Sequence, residues 1–433
     1  MVQDITLLLK NDRSTAESSV TICLPAALQN GTAVLEVKQK SDDLSKGESR
    51  IMRSSGEWRV PESQPVDTMA VRCSDFELNT ALKTKGATTE ITVKAVFLGA
   101  LHPRPATIKQ GDDQRFIHTD SAHIISPYRI LKDSTKIKLP DAVESHTAPS
   151  PASLATDGKA LQLGPYDNVA PMTSTNFTVH YKSSRPFLQA PLIVREIGIS
   201  HWGNVYVEER YHLQHIGPKV VGEWSRYRVM TDRSASKGAA SQGLAVLPPD
   251  ARWIYFRDDI GNISTSVVRR SLADVQVALV PRFPLVGGWE TQFKFGYSLP
   301  IGSIVQRDTK ESGRFVLQTQ INPNLQDIAA EELEMRIVLP EGATEYDVAH
   351  EIPATVTYEK QVTYFDLRGR TVIVVKFRRV VPEILPRLVV TYRYSTLALL
   401  QKPLLLSVAC ALVFTVVVWL SNGKARNGKL HSH

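Results

Sequence analysis

From Leu404 to Leu420 the chain reads LLLSVACALVFTVVVWL, seventeen residues without a charge. An uncharged run of that length must be removed from water, either in a bilayer or in a protein core. It is short for a span, yet a thinner membrane such as that of the endoplasmic reticulum accommodates it. Its position after the folded region and its charge-free composition favour a transmembrane helix, with Trp419 at one interface, where indoles prefer to sit. Charge does not orient it. Lys402, Arg393 and Arg387 precede the run, and Lys424, Arg426 and Lys429 follow it. The opening MVQDITLLLKNDRS holds too short an apolar stretch for a secretory signal. Either an upstream signal is missing from this sequence or the chain is tail-anchored and faces the cytosol. Three sequons, Asn30-Gly-Thr, Asn176-Phe-Thr and Asn262-Ile-Ser, would carry glycans on the luminal side. Three in this length is close to chance.

The remaining chain is ordinary globular protein. Of 433 residues, 42% are hydrophobic and 22% charged, which allows more than one domain with its own core. The net charge of +7 is spread out, without the basic, aromatic-laced runs of a nucleic-acid binder. The three cysteines, Cys23, Cys73 and Cys410, show no CxxC spacing, which argues against structural zinc. Segments such as TAVLEVKQK (32–40), TEITVKAVFLG (89–99), TNFTVHYKS (175–183), RWIYFRD (252–258) and RTVIVVKFRRVV (370–381) are β-branched, aromatic and often alternating. NLQDIAAEELEMR (324–336) is the one stretch that suggests a helix. The chain is therefore expected to be mainly β. Two sandwich-like domains, 1–145 and 174–398, are joined by a connection rich in Pro, Ser, Ala and Gly over 146–173. A single helix (399–421) and a short tail (422–433) follow.

SHWGNVYVEERYHLQH (200–215) has the densest chemistry, with three histidines and two glutamates. Gly203-Asn204 between apolar runs signals a hairpin. Counting by twos puts Val205, Val207, Glu209, Tyr211 and Leu213 on one, largely apolar face. Tyr206, Glu208, Arg210, His212 and Gln214 fall on the other. His212 and His215 then face opposite ways and cannot share a metal, while His201 lies at the turn. Trp202 and Gly203 are expected to matter for folding or assembly and His212 little. No GxSxG, P-loop or GxGxxG is present, and the Asp pairs 42–43, 112–113 and 258–259 diverge if extended. RDDIGN (257–262) reads as a turn. No catalytic, cofactor or metal residues are assigned.

A series of blocks carries a resemblance. VREIGISHWGNVYVEERYHLQHIGPKVVGEWSRY (194–227) is similar to the most characteristic segment of the ribophorin I family, a subunit of the oligosaccharyltransferase complex. ALHPRPATI (100–108), ISPYRI (125–130), LGPYDNVAP (163–171), FTVHYKSSRPFL (177–188), VLPPDARWIYFRDDIGNISTS (246–266), PRFPLVGGWETQFKFGYSLP (281–300), IVLPEGA (337–343), YFDLRGRTVIV (364–374) and LLQKPLLL (399–406) continue it in order. Residues 1–99 match only through strand pattern. The resemblance implies a single-pass protein of the endoplasmic reticulum, with a luminal two-domain β ectodomain and a cytosolic C-terminus. It implies an accessory, non-catalytic role, because the WWDYG-type motif and acidic metal loops of the catalytic subunit are absent. Partners would be the catalytic and other subunits, nascent polypeptides, the bilayer and the translocon, with no nucleic acid and no cofactor. All three sequons become luminal, and Asn262 matches a family sequon. In an oxidising lumen Cys23 and Cys73 could pair, although two separate buried thiols is the favoured alternative. Cys410 lies within the span as small packing or lipid-facing filler. The tail after Leu420 is thirteen residues, so the ribosome-associated cytosolic domain of longer members is not transferred. The competing class is a membrane-tethered binding or chaperone-like β ectodomain that acts outside the complex.

Overall fold

A computed structural model describes residues 1–29, 31–40, 49–52, 58–61, 70–309, 311–363 and 366–428. The mainly β expectation holds, and among the described residues the strands gather around three main hydrophobic clusters, with smaller ones beside them, followed by one long helix. In the first unit, Thr88–Phe97 lies between Val2–Lys10 and Thr32–Lys40, and the pair Glu17–Pro25 and Val71–Leu82 covers it. Alternation in each strand sends Val20, Ile22, Val37, Phe76, Ile91 and Val93 into one interior.

The second unit packs a sheet of His102–Pro103, Gln114–Ser121, Asn176–Ser183 and Val143–Thr147 against Ile130–Lys138, Ala160–Val169 and Ala152–Leu154. This corrects the sequence-based boundary. The 146–173 segment is not a connection, because it supplies Ala152–Leu154 and Ala160–Val169, whose Leu161 and Leu163 are fully buried. Pro151, Gly158 and Pro171 lie just outside strands, and Gly164-Pro165 sits at a register shift inside Ala160–Val169; together they mask a two-residue alternation. Asn176–Ser183 pairs with Gln114–Ser121, so it completes this unit rather than opening the next.

The third unit is built on a seven-stranded sheet. Its order is Arg252–Arg257, Glu290–Pro300, Asn204–His215, Leu188–Ser200, Ala329–Val338, Arg370–Val380 and Ala354–Gln361. Leu188–Ser200 and Ala329–Val338 run parallel, and every other pairing in this sheet is antiparallel. Two smaller sheets cover one face and close a core that includes Ile193, Val207, Phe295, Met335, Val375 and Leu388. The suggested helix at 324–336 is overturned, since Ala329–Val338 is a strand. Ala, Glu, Leu and Met favour helix, but Leu333, Met335 and Ile337 alternate inward and a partner lies on each side.

On the open face, two tyrosines lie across two glycines. Gly198 is opposite Tyr206, and Gly296 is opposite Tyr255. A Cβ on Gly198 would come within 1.8 Å of the Tyr206 ring, and one on Gly296 within 2.6 Å of the Tyr255 ring. Gly198→Val therefore overfills a formed sheet and is expected to cost about 1–3 kcal/mol. Gly302→Ala has nothing within 4 Å and should stay within about 0.5 kcal/mol of wild type. Urea unfolding followed by tryptophan fluorescence compares the two, and equal midpoints would contradict the packing.

Candidate functional site

The hairpin of 200–215 is the centre of the large sheet. Ser200 pairs with Asn204, so His201, Trp202 and Gly203 form the turn, and Gly203 has φ +119°. Trp202 is 65% exposed and packs into no core, which leaves assembly rather than core packing as the way its side chain could matter. The three histidines go to three places. His212 is part-exposed and 3.1 Å from Glu290. His215 is buried, with Nε2 2.7 Å from the Gly238 carbonyl, and burial lowers its pKa. His201 was read only as a turn residue. Its ring stacks on Tyr394 at 4.3 Å, meets Phe315 edge-on and lies 2.9 Å from the Tyr392 hydroxyl. Burial, then Arg307, holds His201 down to about 4.

Counting by twos placed Glu209 on the apolar face, and the structure shows why an acid is tolerated there. Glu209 is opposite Arg195 in the hairpin register, and both side chains are buried and ion-paired. The guanidinium also donates to the carbonyls of Gln320 (2.8 Å) and Asn322 (2.6 Å). Glu209 accepts from the Tyr211 hydroxyl and, at 2.9 Å, from Asn324 Nδ2, which also reaches the Tyr297 hydroxyl at 3.0 Å. Burial opposes the arginine charge, but Glu209 prevails and holds Arg195 above its ordinary value. Burial and the same carboxylate push Tyr211 well up and Tyr297 up to about 12. Every charge here is compensated within a closed network, a structural arrangement that presents no atom to a substrate.

The open face carries a lattice of paired charges. Glu208 receives Tyr255, Arg210 and Lys294; Arg336 bridges Glu334 and Glu359; Lys376 reaches Glu334 and Glu332. Asp258 caps the RDDIGN turn, accepting from Ile260 and Gly261 and holding Arg282. No group of three or more His, Cys, Asp or Glu suited to a metal occurs among the described residues.

Asn262 is exposed beside that turn, and its Oδ1 accepts from Arg257 at 2.7 Å. Asn176 is exposed at the start of its strand, while Thr178 of the same sequon meets Thr119 at 3.1 Å. Asn30 lies outside the described residues. Cys23 and Cys73 are directly opposed across Glu17–Pro25 and Val71–Leu82 and are joined as a disulfide rather than standing as separate thiols. Ile125 and Met172 of the second unit pack over them. Cys410 is an exposed free thiol on the helix.

The short turn Thr396–Leu399 leads into that helix, Gln401–Gly428, and together they supply the only described segment long and apolar enough to cross a membrane, Leu397–Leu420, with none of its apolar window buried. Its first turn is gripped by two loops. Lys402 Nζ donates to Asp366 at 2.5 Å, and Gln401 Nε2 reaches Glu341 at 3.3 Å. Burial alone would raise Asp366, but Lys402 and Thr363 hold it well below the usual carboxylate range.

The structure thus defines a multi-sandwich β protein that ends in one apolar helix. The Ribophorin I family model matches residues 1–421, so the chain belongs to the ribophorin I family. It is 34% identical over 410 residues to dolichyl-diphosphooligosaccharide–protein glycosyltransferase subunit 1A of Arabidopsis thaliana, covering 93% of this chain and 64% of that protein. Subunit 1B of the same plant is 37% identical over 76% of this chain and 70% of its own length. Subunit 1 of Caenorhabditis elegans is 33% identical over 88% and 64%. The chain therefore spans just under two thirds of the length of two of these relatives. A putative protease from Parabacteroides distasonis, at 12% identity, 48% of this chain, 40% of its own and TM-score 0.29, is too distant to inform fold or activity.

Two expectations follow. Glu209→Gln leaves Arg195 buried without its counter-charge and should cost about 3–5 kcal/mol. Adding Arg195→Met to Glu209→Leu should recover part of the loss of the single change, and strictly additive unfolding free energies would contradict the coupling. The second concerns pH. His201 has a folded pKa of about 4, below its unfolded 6.5. The unfolded chain then binds more protons, so this contribution is intact above pH 6.5 and is lost as pH falls toward 4. His201→Phe, which keeps a ring in the stack, should flatten melting temperature against pH across that window; an unchanged slope would refute the assignment.

Proposed function

We propose that this chain is an accessory, non-catalytic subunit of the oligosaccharyltransferase complex of the endoplasmic reticulum membrane. That complex transfers a lipid-linked oligosaccharide to asparagine in nascent proteins. The β units lie in the lumen, the Leu397–Leu420 helix crosses the bilayer once, and the basic tail is cytosolic. The role is to stabilise the assembly and help present nascent polypeptides to its catalytic subunit. The carrying observation is the unbroken family match across residues 1–421, with relatives named as subunit 1 of the glycosyltransferase. The exposed Asn262 and Asn176 agree with luminal glycosylation, and the Cys23–Cys73 disulfide agrees with an oxidising compartment.

Affinity purification of the tagged chain in mild detergent should recover the catalytic subunit in stoichiometric amount, and recovery of this chain alone would sink the assignment. If the chain instead worked as a tethered binding domain outside the complex, its depletion would leave sequon-bearing reporters fully glycosylated. Asn262→Gln should remove one glycosidase-sensitive step of electrophoretic mobility; the absence of any glycosidase shift in the wild type would argue against a luminal ectodomain.

A further inference from the structure

Between Ala354–Gln361 and Arg370–Val380, the described residues 366–369 lie beside the start of the apolar helix. Asp366 in this loop holds Lys402. Glu341 of the neighbouring loop accepts from the backbone N–H of Leu367 (2.7 Å) and Arg368 (2.8 Å) and from Gln401 at 3.3 Å. One carboxylate on each loop thus binds the loop backbone or side chains to the first helical turn. Leu404, where the charge-free run begins, is only two residues beyond Lys402, about 3 Å along a helix axis. Against that anchor, Val362 is 73% and Leu367 62% exposed, with Arg368 exposed next to them. Val362 and Gly369 are adjacent across the loop, since a Cβ on Gly369 would sit 3.1 Å from Val362. Leu397 and Leu400 on the approach to the helix are exposed as well.

Apolar side chains are costly in water and stable at the headgroup boundary, where a neighbouring arginine can meet lipid phosphate. We propose that this loop is a membrane foot: Val362 and Leu367 enter the lipid interface beside the span, and Arg368 meets the phosphates of the surrounding headgroups. The proposal rests on the reading that Leu397–Leu420 crosses the bilayer. The foot does more than add affinity. Arg370 opens the strand next to the sheet's edge, whose Arg379, about 30 Å further on at strand rise, donates to the Thr32 carbonyl of the first unit. Seating the foot therefore fixes the tilt of the large sheet, and with it the height of the first unit above the membrane.

The test uses the full chain in lipid nanodiscs, with Cys410→Ala to leave one labelling site and the Cys23–Cys73 disulfide intact. An environment-sensitive fluorophore is attached in turn to Val362→Cys, Leu367→Cys, Leu8→Cys in the first unit and Val413→Cys in the helix. Quenching by headgroup nitroxide lipid, acyl-chain nitroxide lipid and aqueous iodide is then compared. The 362 and 367 probes should lose most of their emission to headgroup nitroxide and little to iodide, whereas the Leu8 probe should respond to iodide alone. If 362 and 367 behave like Leu8 while the 413 probe is quenched by acyl-chain nitroxide, the span stands and the foot is overturned. If 413 is not quenched by lipid either, the span reading itself fails. Shielding of 362 and 367 from lipid and iodide alike, in the purified complex, would show a protein cover and overturn the lipid assignment.

Discussion

A buried guanidinium–carboxylate pair at the middle of a sheet leaves the surrounding chain little choice. Arg195 and Glu209 stand on adjacent central strands, and taking either charge out of water is unfavourable by several kcal/mol unless both are matched. The match requires the carbonyls of Gln320 and Asn322, the amide of Asn324 and the hydroxyl of Tyr211. That demand draws the 320–325 segment over the sheet's inner face, where Leu325 and Ile321 then pack into the core. A slip of one residue in the hairpin would turn both charges to the other face and bury Glu208 and Arg210 with apolar neighbours. The pair therefore sets the register more firmly than apolar packing alone.

Register, once set, decides the open face. With Glu209 inward, Tyr206 and Glu208 must point outward, and Tyr206 falls across Gly198. Glu196 is then opposite Glu208, a repulsive pairing that the sheet relieves with Arg336, Arg210, Lys294 and two tyrosine hydroxyls. The lattice follows from the register as much as from any partner. Its charges are matched internally, so it adds little net field. What it offers is a rigid, shaped surface.

Much of this was legible in the chain. Alternation in VYVEERYHL assigned every side chain to its face and removed the apparent metal site, because 3.4 Å strand geometry alone separates His212 from His215. The same count marked Glu209 as an acid on an apolar face, a signal of a buried partner, and Arg195 was the basic residue on the adjoining strand. The terminal helix was plain from its uncharged length. Other features rest on contacts between distant residues. The His201 stack depends on Phe315, more than a hundred positions later, and on Tyr392 and Tyr394, nearly two hundred positions later, on two paired strands and their exit. Cys23 and Cys73, fifty positions apart, become neighbours only through the pairing of Glu17–Pro25 with Val71–Leu82. At 146–173 composition misled, since short strands separated by prolines look like linker until Leu161 and Leu163 are seen filling a core. At 324–336 helix propensity lost to a central position between two strands.

The two ends of the third unit's sheet explain how a single helix could place three sandwiches. A lone span joined by a flexible linker would let the ectodomain swing, because a few unconstrained residues cost little to reorient. Here the junction is short and bonded. Ser395 caps Thr396–Leu399, Ala398 packs against the Gly342 turn, and Asp366 and Glu341 hold Lys402 and Gln401 before the charge-free run begins. The pair Lys219–Val220 with Thr107–Ile108 ties the second unit to the third, and Gln3 to Asp120 ties the first to the second. Each contact is modest, but together they transmit the orientation of the helix into the sheets.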